Sequence, residues 1–360
     1  MSLLAGCLPT AYTKPFSVRQ IQLPRDEAAH RTPMEWWYYS GQLEAEDGSS
    51  YGFELTFFKA LPPPRSRLLG FLPVAYLVGV GQVAHAALTY KNGREGGGRF
   101  TQAQRADFWG YRAGASEDDL MVFVGDWRVS RGPDGSSHEL VFSLPGAHLE
   151  LTLSPEKATV LHGSPPGILV MGEAGASYYL SATRMGVSGS LQRDCTLLAC
   201  RELSVTGQAW HDHQWGNFDL TSIAGWDWFA LQLDDDREIM LYLIRNPDGS
   251  LASASGSLVD RRGGVHVLKA GDFLVSTTGE WKSPVTAAVY PMGWRLEVPA
   301  YHLELEVKPA LLNQEMTTRA TTGITYWEGA VVVTGSLGGL GYVELTNYDR
   351  YPYRRVETGP

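Results

Sequence analysis

The sequence predicts an all-β protein of two related barrel-like domains, and three observations carry that expectation. Apolar and aromatic segments of strand length recur at hairpin spacing between turn signals, no long amphipathic helix interrupts them, and one aromatic pattern returns 190 residues later. A chain of 360 residues is too long for one ordinary core and suits two domains or one large β domain; the repeat selects two.

After a proline-containing leader (Pro9, Pro15, Pro24), residues 36–43 read as a strand, Glu46-Asp47-Gly48 as its turn and residues 51–58 as the returning strand. Aromatic and β-branched side chains favour a pleated, half-buried surface, and Asp-Gly favours the tight turn. Pro62-Pro63-Pro64 then forces a loop. Strands follow over 78–90, 99–103, 121–129, 139–144 and 149–153, separated by Lys91-Asn92-Gly93 and Pro133-Asp134-Gly135. Residues 102–108 are at most a short helix.

The repeat sets Trp226-x-Trp228-Phe229-x-Leu231-Gln232-Leu233 against Trp36-x-Tyr38-Tyr39-x-Gly41-Gln42-Leu43. An acidic turn follows each, then a second apolar strand, 53–58 in one place and 239–244 in the other. Val187-Ser188-Gly189-Ser190-Leu191 and Val333-Thr334-Gly335-Ser336-Leu337 rhyme likewise. The expected division is a leader over 1–30, a first domain over 31–195 and a second over 205–355, joined near the loop between Cys195 and Cys200. Trp210 then opens the second domain beside the interface, where pockets tend to form.

A net charge of -9 without any Lys/Arg cluster lacks the footprint of a nucleic-acid binder, so no nucleic-acid partner is expected. No protein partner is predicted either. Residues 68–90 are uncharged, but Pro73, three glycines, Gln82 and His85 interrupt them and their later part alternates, which reads as strands rather than a membrane helix. Leu4-Ala5-Gly6-Cys7 resembles a lipobox, where bacterial lipoproteins are cleaved and lipidated on cysteine, although no basic or apolar region precedes it. As a lipobox it implies export and a membrane tether through Cys7; as a chance match it leaves a cytoplasmic protein. In an oxidising compartment Cys195 and Cys200 could close a small disulfide loop.

The densest chemistry lies in residues 210–229, which hold four tryptophans, two histidines and three aspartates. If 210–215 is extended, Trp210, Asp212 and Gln214 share one face and His211, His213 and Trp215 the other. One reading is an acid beside an aromatic wall. The other is a metal held by two histidines, but no His-x-His or His-x-x-x-His companion supplies a third ligand, and no metal is expected. A Gly-x-Ser-x-Gly elbow is missing, and Gly96-Gly97-Gly98 opens no helix, so neither serine hydrolysis nor a nucleotide loop is indicated.

Glu35-Trp36-Trp37-Tyr38-Tyr39 with Gly52-Phe53, the Trp210–Gly216 box, Gly225-Trp226-Asp227-Trp228-Phe229, Tyr326-Trp327-Glu328-Gly329 and Gly341-Tyr342-Val343-Glu344-Leu345 carry a resemblance. Together they resemble the lipocalin-like family of bacterial carotenoid 1,2-hydratases (hydroxyneurosporene synthases) and AttH-type secreted proteins, over about residues 32–348. The resemblance implies two tandem lipocalin-like β-barrels with a ligand cavity at or near their junction. Proteins of this kind include cofactor-free hydratases, pericyclases of the Diels-Alderase type and exported proteins without assigned activity, so the fold does not decide the chemistry.

Hydration of an isolated alkene needs a strong proton donor, a stabilised carbocation and then water. Burial raises a carboxyl pKa and keeps it protonated, and an indole face attracts a cation by roughly 0.5–2 kcal/mol. By the resemblance the acid falls on Asp212, with Trp210 as cation stabiliser and His211 or His213 as helper. Glu35, Trp37, Tyr38, His85, Trp215, Trp226 and Trp228 are the further residues expected to line the ligand site. Equally, Asp212 suits a structural acceptor, Tyr38, Trp226 and Trp228 suit barrel core, and His85 suits a satisfied buried histidine. The expected function is a cofactor-free enzyme that hydrates a hydrophobic isoprenoid or polyene. A non-catalytic exported lipoprotein that binds a lipophilic ligand and a pericyclase are the alternatives.

Overall fold

The computed structural model describes residues 19–60, 67–68, 72–73, 81–91, 97–107, 110–171, 175–194, 200–218 and 223–351. It is all-β; its helical pieces among the described residues are 3₁₀ turns such as Arg25–Glu27 and Pro299–Tyr301. Two large antiparallel sheets curl around separate cores. In the first, the central order is Gly98–Asp107, Gly81–Lys91, Ser50–Ala60, Met34–Ala45, Arg201–Phe218, Gly175–Arg193, Ala147–Pro155 and His138–Leu144. In the second it is Leu251–Val259, Glu238–Arg245, Gly225–Leu233, Gly339–Thr346, Thr325–Gly335, Leu303–Pro309 and Trp294–Val298.

The hairpin expected around Glu46-Asp47-Gly48 is present as Met34–Ala45 against Ser50–Ala60. Residues 121–129 divide into two short strands, Met121–Val124 and Trp127–Arg131, because Gly125 takes a positive φ of 67° and turns the chain. The stretch considered for a short helix, from residue 102, is instead the end of Gly98–Asp107, which pairs along Gly81–Lys91. Pro62-Pro63-Pro64, residues 78–80 and the Asn92-Gly93 turn lie outside the described residues.

The domain division needs one correction. Arg201–Phe218 does not open the second domain; it lies in the first sheet, paired on one side with Met34–Ala45 and on the other with Gly175–Arg193. The loop between Cys195 and Cys200 therefore connects two neighbouring strands of the first barrel, and the second sheet begins at Gly225. The repeat explains why. Arg201–Phe218 is the counterpart of Gly339–Thr346, which flanks Gly225–Leu233 as Arg201–Phe218 flanks Met34–Ala45.

Alternation along Met34–Ala45 decides which side chains reach which space. Trp37, Tyr39 and Leu43 enter the first barrel's core with Phe53, Leu55 and Phe57. Tyr38 faces outward and joins Tyr179, Trp210, Trp228, Tyr242 and Tyr342 in a separate aromatic cluster between the two sheets. The barrels thus pack outer face against outer face. A void of about 10 Å³ in the second barrel is lined by Asp227, Phe229, Leu243 and Trp294 among others.

Two repeat-equivalent glutamines hold the faces together. Gln42 Nε2 donates to the carbonyls of Val331 and Gly341 at 3.0 and 3.1 Å; Gln232 Nε2 donates to those of Thr183 and Ala209 at 2.8 and 2.9 Å. Each barrel therefore clasps the other's backbone by the same residue of the repeat. The approach is close enough that a Cβ on Gly52 would stand 2.7 Å from Ala330 Cβ. Lys157 and Arg184 of the first barrel also converge on buried Glu238 of the second at 2.9 and 2.6 Å. Gln232→Ala and Gln42→Ala should each lower unfolding free energy by about 1–3 kcal/mol, since each removes two buried bonds to backbone carbonyls. Urea denaturation reads this, and an unchanged midpoint in both variants would rule out the clasp as a structural tie.

Candidate functional site

The register places one row of side chains on each facing sheet. On the first, His85, Thr56, Tyr38, Asp212 and Ser181 stand directly across from one another on five neighbouring strands. On the second, Ser255, Tyr242, Trp228, Glu344 and Glu328 do the same. The rows are repeat-equivalent, so Asp212 corresponds to Glu344 and Tyr38 to Trp228. They meet where the Tyr38 hydroxyl donates to Glu328 Oε1 and Trp228 Nε1 donates to Tyr179 Oη at 3.0 Å.

Asp212 is 4% exposed and carries three donors: Trp210 Nε1 to Oδ1 at 2.6 Å, Tyr179 Oη to Oδ2 at 2.5 Å, and the Ser181 hydroxyl to Oδ1. Burial pushes its pKa up, the three donors pull it back, and it settles at about 6. The Trp210 indole therefore meets Asp212 through its N–H edge. Its ring sits edge-on to Trp228, with centroids 6.2 Å apart. Ser181 also contacts His162 Nε2 at 2.7 Å, but His162 Nδ1 binds Ser257 rather than an acid, so no serine triad forms.

Glu54, Glu328 and Glu344 are differently placed. Glu328 and Glu344 are direct cross-strand partners, and no salt bridge reaches any of the three among the described residues. Like charges in that position repel, and burial adds to the effect. Burial first, then Glu344 and Glu54, hold the Glu328 carboxyl well above its usual range; burial and Glu344 do the same to Glu54 against its bond from Thr56. Glu344 is raised to about 7 by burial, with Asp212 and Asp227 adding to it and a hydrogen bond from Trp226 opposing. Glu344 and Trp226 are only partly covered, as are Trp36 and Phe58 nearby.

The residues expected from the sequence divide between two spaces. Tyr38, Trp210, Asp212, Trp226 and Trp228 lie at the junction. His85 does too, as a buried histidine satisfied by the Tyr326 hydroxyl and by Thr321 Oγ1 at 2.8 Å; burial lowers it to about 3. Glu35, Trp37, His211, His213 and Trp215 do not line the junction, because strand alternation turns them toward the inside and end of the first barrel. Glu35 there accepts from Lys59 Nζ at 2.6 Å, from the His30 backbone and imidazole, and from His213 Nε2 at 2.9 Å. Burial works against its ionisation, but these bonds and the Lys59 charge hold it at about 2.

The ligating atoms of His30, Glu35 and His213 lie within 4.8 Å of one another, a grouping that the His-x-His spacing did not show. The Lys59 ammonium on the same carboxylate opposes a cation there. His211 takes no part; its Nδ1 contacts the Tyr38 carbonyl at 3.0 Å and its ring stacks on Tyr39. Cys7 and Cys195 lie outside the described residues, while Cys200 is disulfide-bonded. A 360 Å³ groove lined by Arg105, Asp107, Tyr111, Arg112 and Asp126 lies on the first barrel, bordered by none of Glu54, Asp212, Glu328 and Glu344.

Glu54, Tyr179, Ser181 and Tyr242 carry no mark in the sequence, and Glu328 and Glu344 stand there only within the resemblance motifs, not as site residues. The signal was present: Tyr326-x-Glu328 and Tyr342-x-Glu344 each place an acid two residues from a tyrosine inside an apolar strand.

Two curled sheets packed through polar, aromatic outer faces define a lipocalin-like two-barrel protein. The chain matches the AttH-like family over residues 14–348 and belongs to that family. Its fold is similar to the crystal structure of an AttH protein of Nitrosomonas europaea at 30% identity and TM-score 0.79, covering 92% of this chain and 98% of that one. It is also similar to kievitone hydratase of Nectria haematococca at 16% identity and TM-score 0.64, covering 88% and 89%. No curated protein matches the sequence.

The raised Glu344 pKa has a stability consequence. A folded-state pKa of about 7 against an ordinary 4.5 gives stability that is complete below pH 4.5 and lost as pH rises through 7. Replacing Glu344 by Gln removes that loss. Relative to wild type, Glu344→Gln should gain roughly 1–2 kcal/mol between pH 5 and pH 8, after allowance for partial exposure. Parallel urea-denaturation profiles for the two proteins would contradict the assignment.

Proposed function

We propose that this chain is a cofactor-free enzyme that adds water across a carbon–carbon double bond of an apolar small molecule held between the barrels. The observation that carries the reading is the Trp228–Glu344–Glu328 row, where carboxyls with no cationic partner among the described residues lie beside indoles and are held protonated near neutral pH. A protonated carboxyl next to a π-face is what alkene hydration requires.

Glu344 is the proton donor in this reading. Its carboxyl proton passes to one alkene carbon, and the π-faces of Trp226 and Trp228 stabilise the cation left on the other. Water forms the new C–O bond, and its surplus proton returns to the Glu344 carboxylate, so the enzyme ends in its starting state. Glu328, facing Glu344, is itself held protonated by burial and by the acids beside it. Asp212, with its oxygens already engaged by three donors, positions Tyr179 and through it Trp228. The expectation that Asp212 is the acid thus gives way to its repeat counterpart. The shared fold of a hydratase supports the reading at the level of fold alone. A disulfide at Cys200 supports export to an oxidising compartment, with Cys7 as a proposed lipid anchor.

The test incubates the protein with isoprenoids from geraniol to lycopene and reads the mass of one added water. Wild type should form product with kcat/KM falling tenfold per pH unit above about 7, where Glu344 loses its proton. Glu344→Gln should lower kcat by about 10²- to 10⁴-fold, and Asp212→Asn by less. The reverse order returns the acid to Asp212. Full activity in Glu344→Gln would instead favour a pericyclase-type site acting by shape, and no product from any isoprenoid would remove the hydration reading.

A further inference from the structure

We infer that the junction takes an amphiphilic substrate, an apolar alkene-bearing body ending in a hydroxyl or similar hydrogen-bonding head, rather than a pure hydrocarbon. The inference rests on the hydratase reading for the alkene and on separate geometry for the head. Glu54, Glu328 and Tyr242 are 0%, 1% and 4% exposed, yet Glu54 Oε2, Glu328 Oε2 and Tyr242 Oη have no hydrogen-bond partner among the described residues. All three belong to the facing surfaces. Glu328 stands across from Glu344, Tyr242 across from Trp228, and Glu54 interacts electrostatically with both Glu328 and Glu344.

Folded proteins seldom leave three buried polar atoms unpaired in one place, because each gives up its bonds to water on burial. A hydrocarbon would leave all three unpaired on binding. A head group that both donates and accepts can satisfy a carboxyl oxygen and the Tyr242 hydroxyl together. The partly covered rings of Trp36, Phe58 and Trp226 supply the apolar wall for the rest of the molecule. Glu344 stands between the two regions, beside Trp226 on the apolar side and near Tyr242 on the polar side. The double bond to be protonated then lies within a short chain of the head, and the head sets its register. Sites built to pair a substrate hydroxyl discriminate strongly against the analogue that lacks it.

The probes are geraniol and the matching hydrocarbon 2,6-dimethylocta-2,6-diene, titrated against the full chain by quenching of tryptophan fluorescence. A purely apolar cavity would prefer the hydrocarbon, because an unpaired hydroxyl is costly to bury. The expected result is geraniol bound tenfold or more tighter in wild type. Tyr242→Phe and Glu54→Gln, each nearly isosteric, should each erase most of that preference. Equal affinities in wild type, or a preference untouched by both variants, would overturn the inference. Turnover separates it from the reading it rests on. Selective binding of geraniol without an added water sinks the hydration and leaves the amphiphile site, whereas hydration of both probes at equal affinity does the opposite.

Discussion

The structure depends on one constraint: two copies of a curled sheet packed outer face to outer face and held in register by the same glutamine from each. Gln42 reaches the backbone of the second barrel and Gln232 that of the first. A reciprocal contact of this kind is isologous, as in a twofold dimer, but joined in one chain. It brings equivalent strands into opposition, so whatever the repeat carries on its outward positions arrives at the junction twice. An ordinary barrel exposes those positions to water; here they are buried, and polar residues there become strongly perturbed.

The two halves have resolved that burial differently. Asp212 collected three donors from Trp210, Tyr179 and Ser181, the usual way a buried carboxylate is made tolerable. Its counterpart Glu344 has Glu328 where Asp212 has Ser181, an acid in place of a donor. Asp227, one residue along from Trp228 and facing the other way, has Arg245 at 3.0 Å and the Tyr348 hydroxyl at 2.8 Å. Where stability alone was at stake, the chain supplied a cation; at the junction it placed two further acids. Uncompensated burial of that sort is common where a perturbed pKa is used chemically.

Much of the architecture was legible because its signals are local. The hairpin of Met34–Ala45 and Ser50–Ala60 shows in aromatic alternation and an Asp-Gly turn, and the 190-residue echo of Trp36 in Trp226 shows the duplication. The domain border was misplaced because it is topological: Arg201–Phe218 follows a long loop in sequence, yet its partners are the strand before that loop and one more than 150 residues earlier. The Trp210–Trp215 box drew attention by its density. Alternation did separate Trp210 and Asp212 from His211 and His213, as the sequence indicated, but not which face met the second barrel. The glutamates stayed hidden because each is a lone acid in an apolar strand, and their convergence exists only once two sheets meet.

The histidines show why density of chemistry is a poor guide here. His138, His211 and His213 lie close together inside the first barrel, neutral because burial lowers all three. His211 stacks on Tyr39 and His213 on Trp37, while His138 meets Tyr39 edge-on, so they act as flat aromatic filling with a polar edge. A neutral imidazole sealed in a filled core can neither meet a substrate nor exchange a proton with one. The opposite holds for Glu344: it sits in a stretch with no other acid, but it is reachable, flanked by indoles, and set against a second acid across the sheet. Accessibility and the lack of a cationic partner among the described residues, which belong to the packing of the two faces, are what make Glu344 the proposed acid; residue type alone does not.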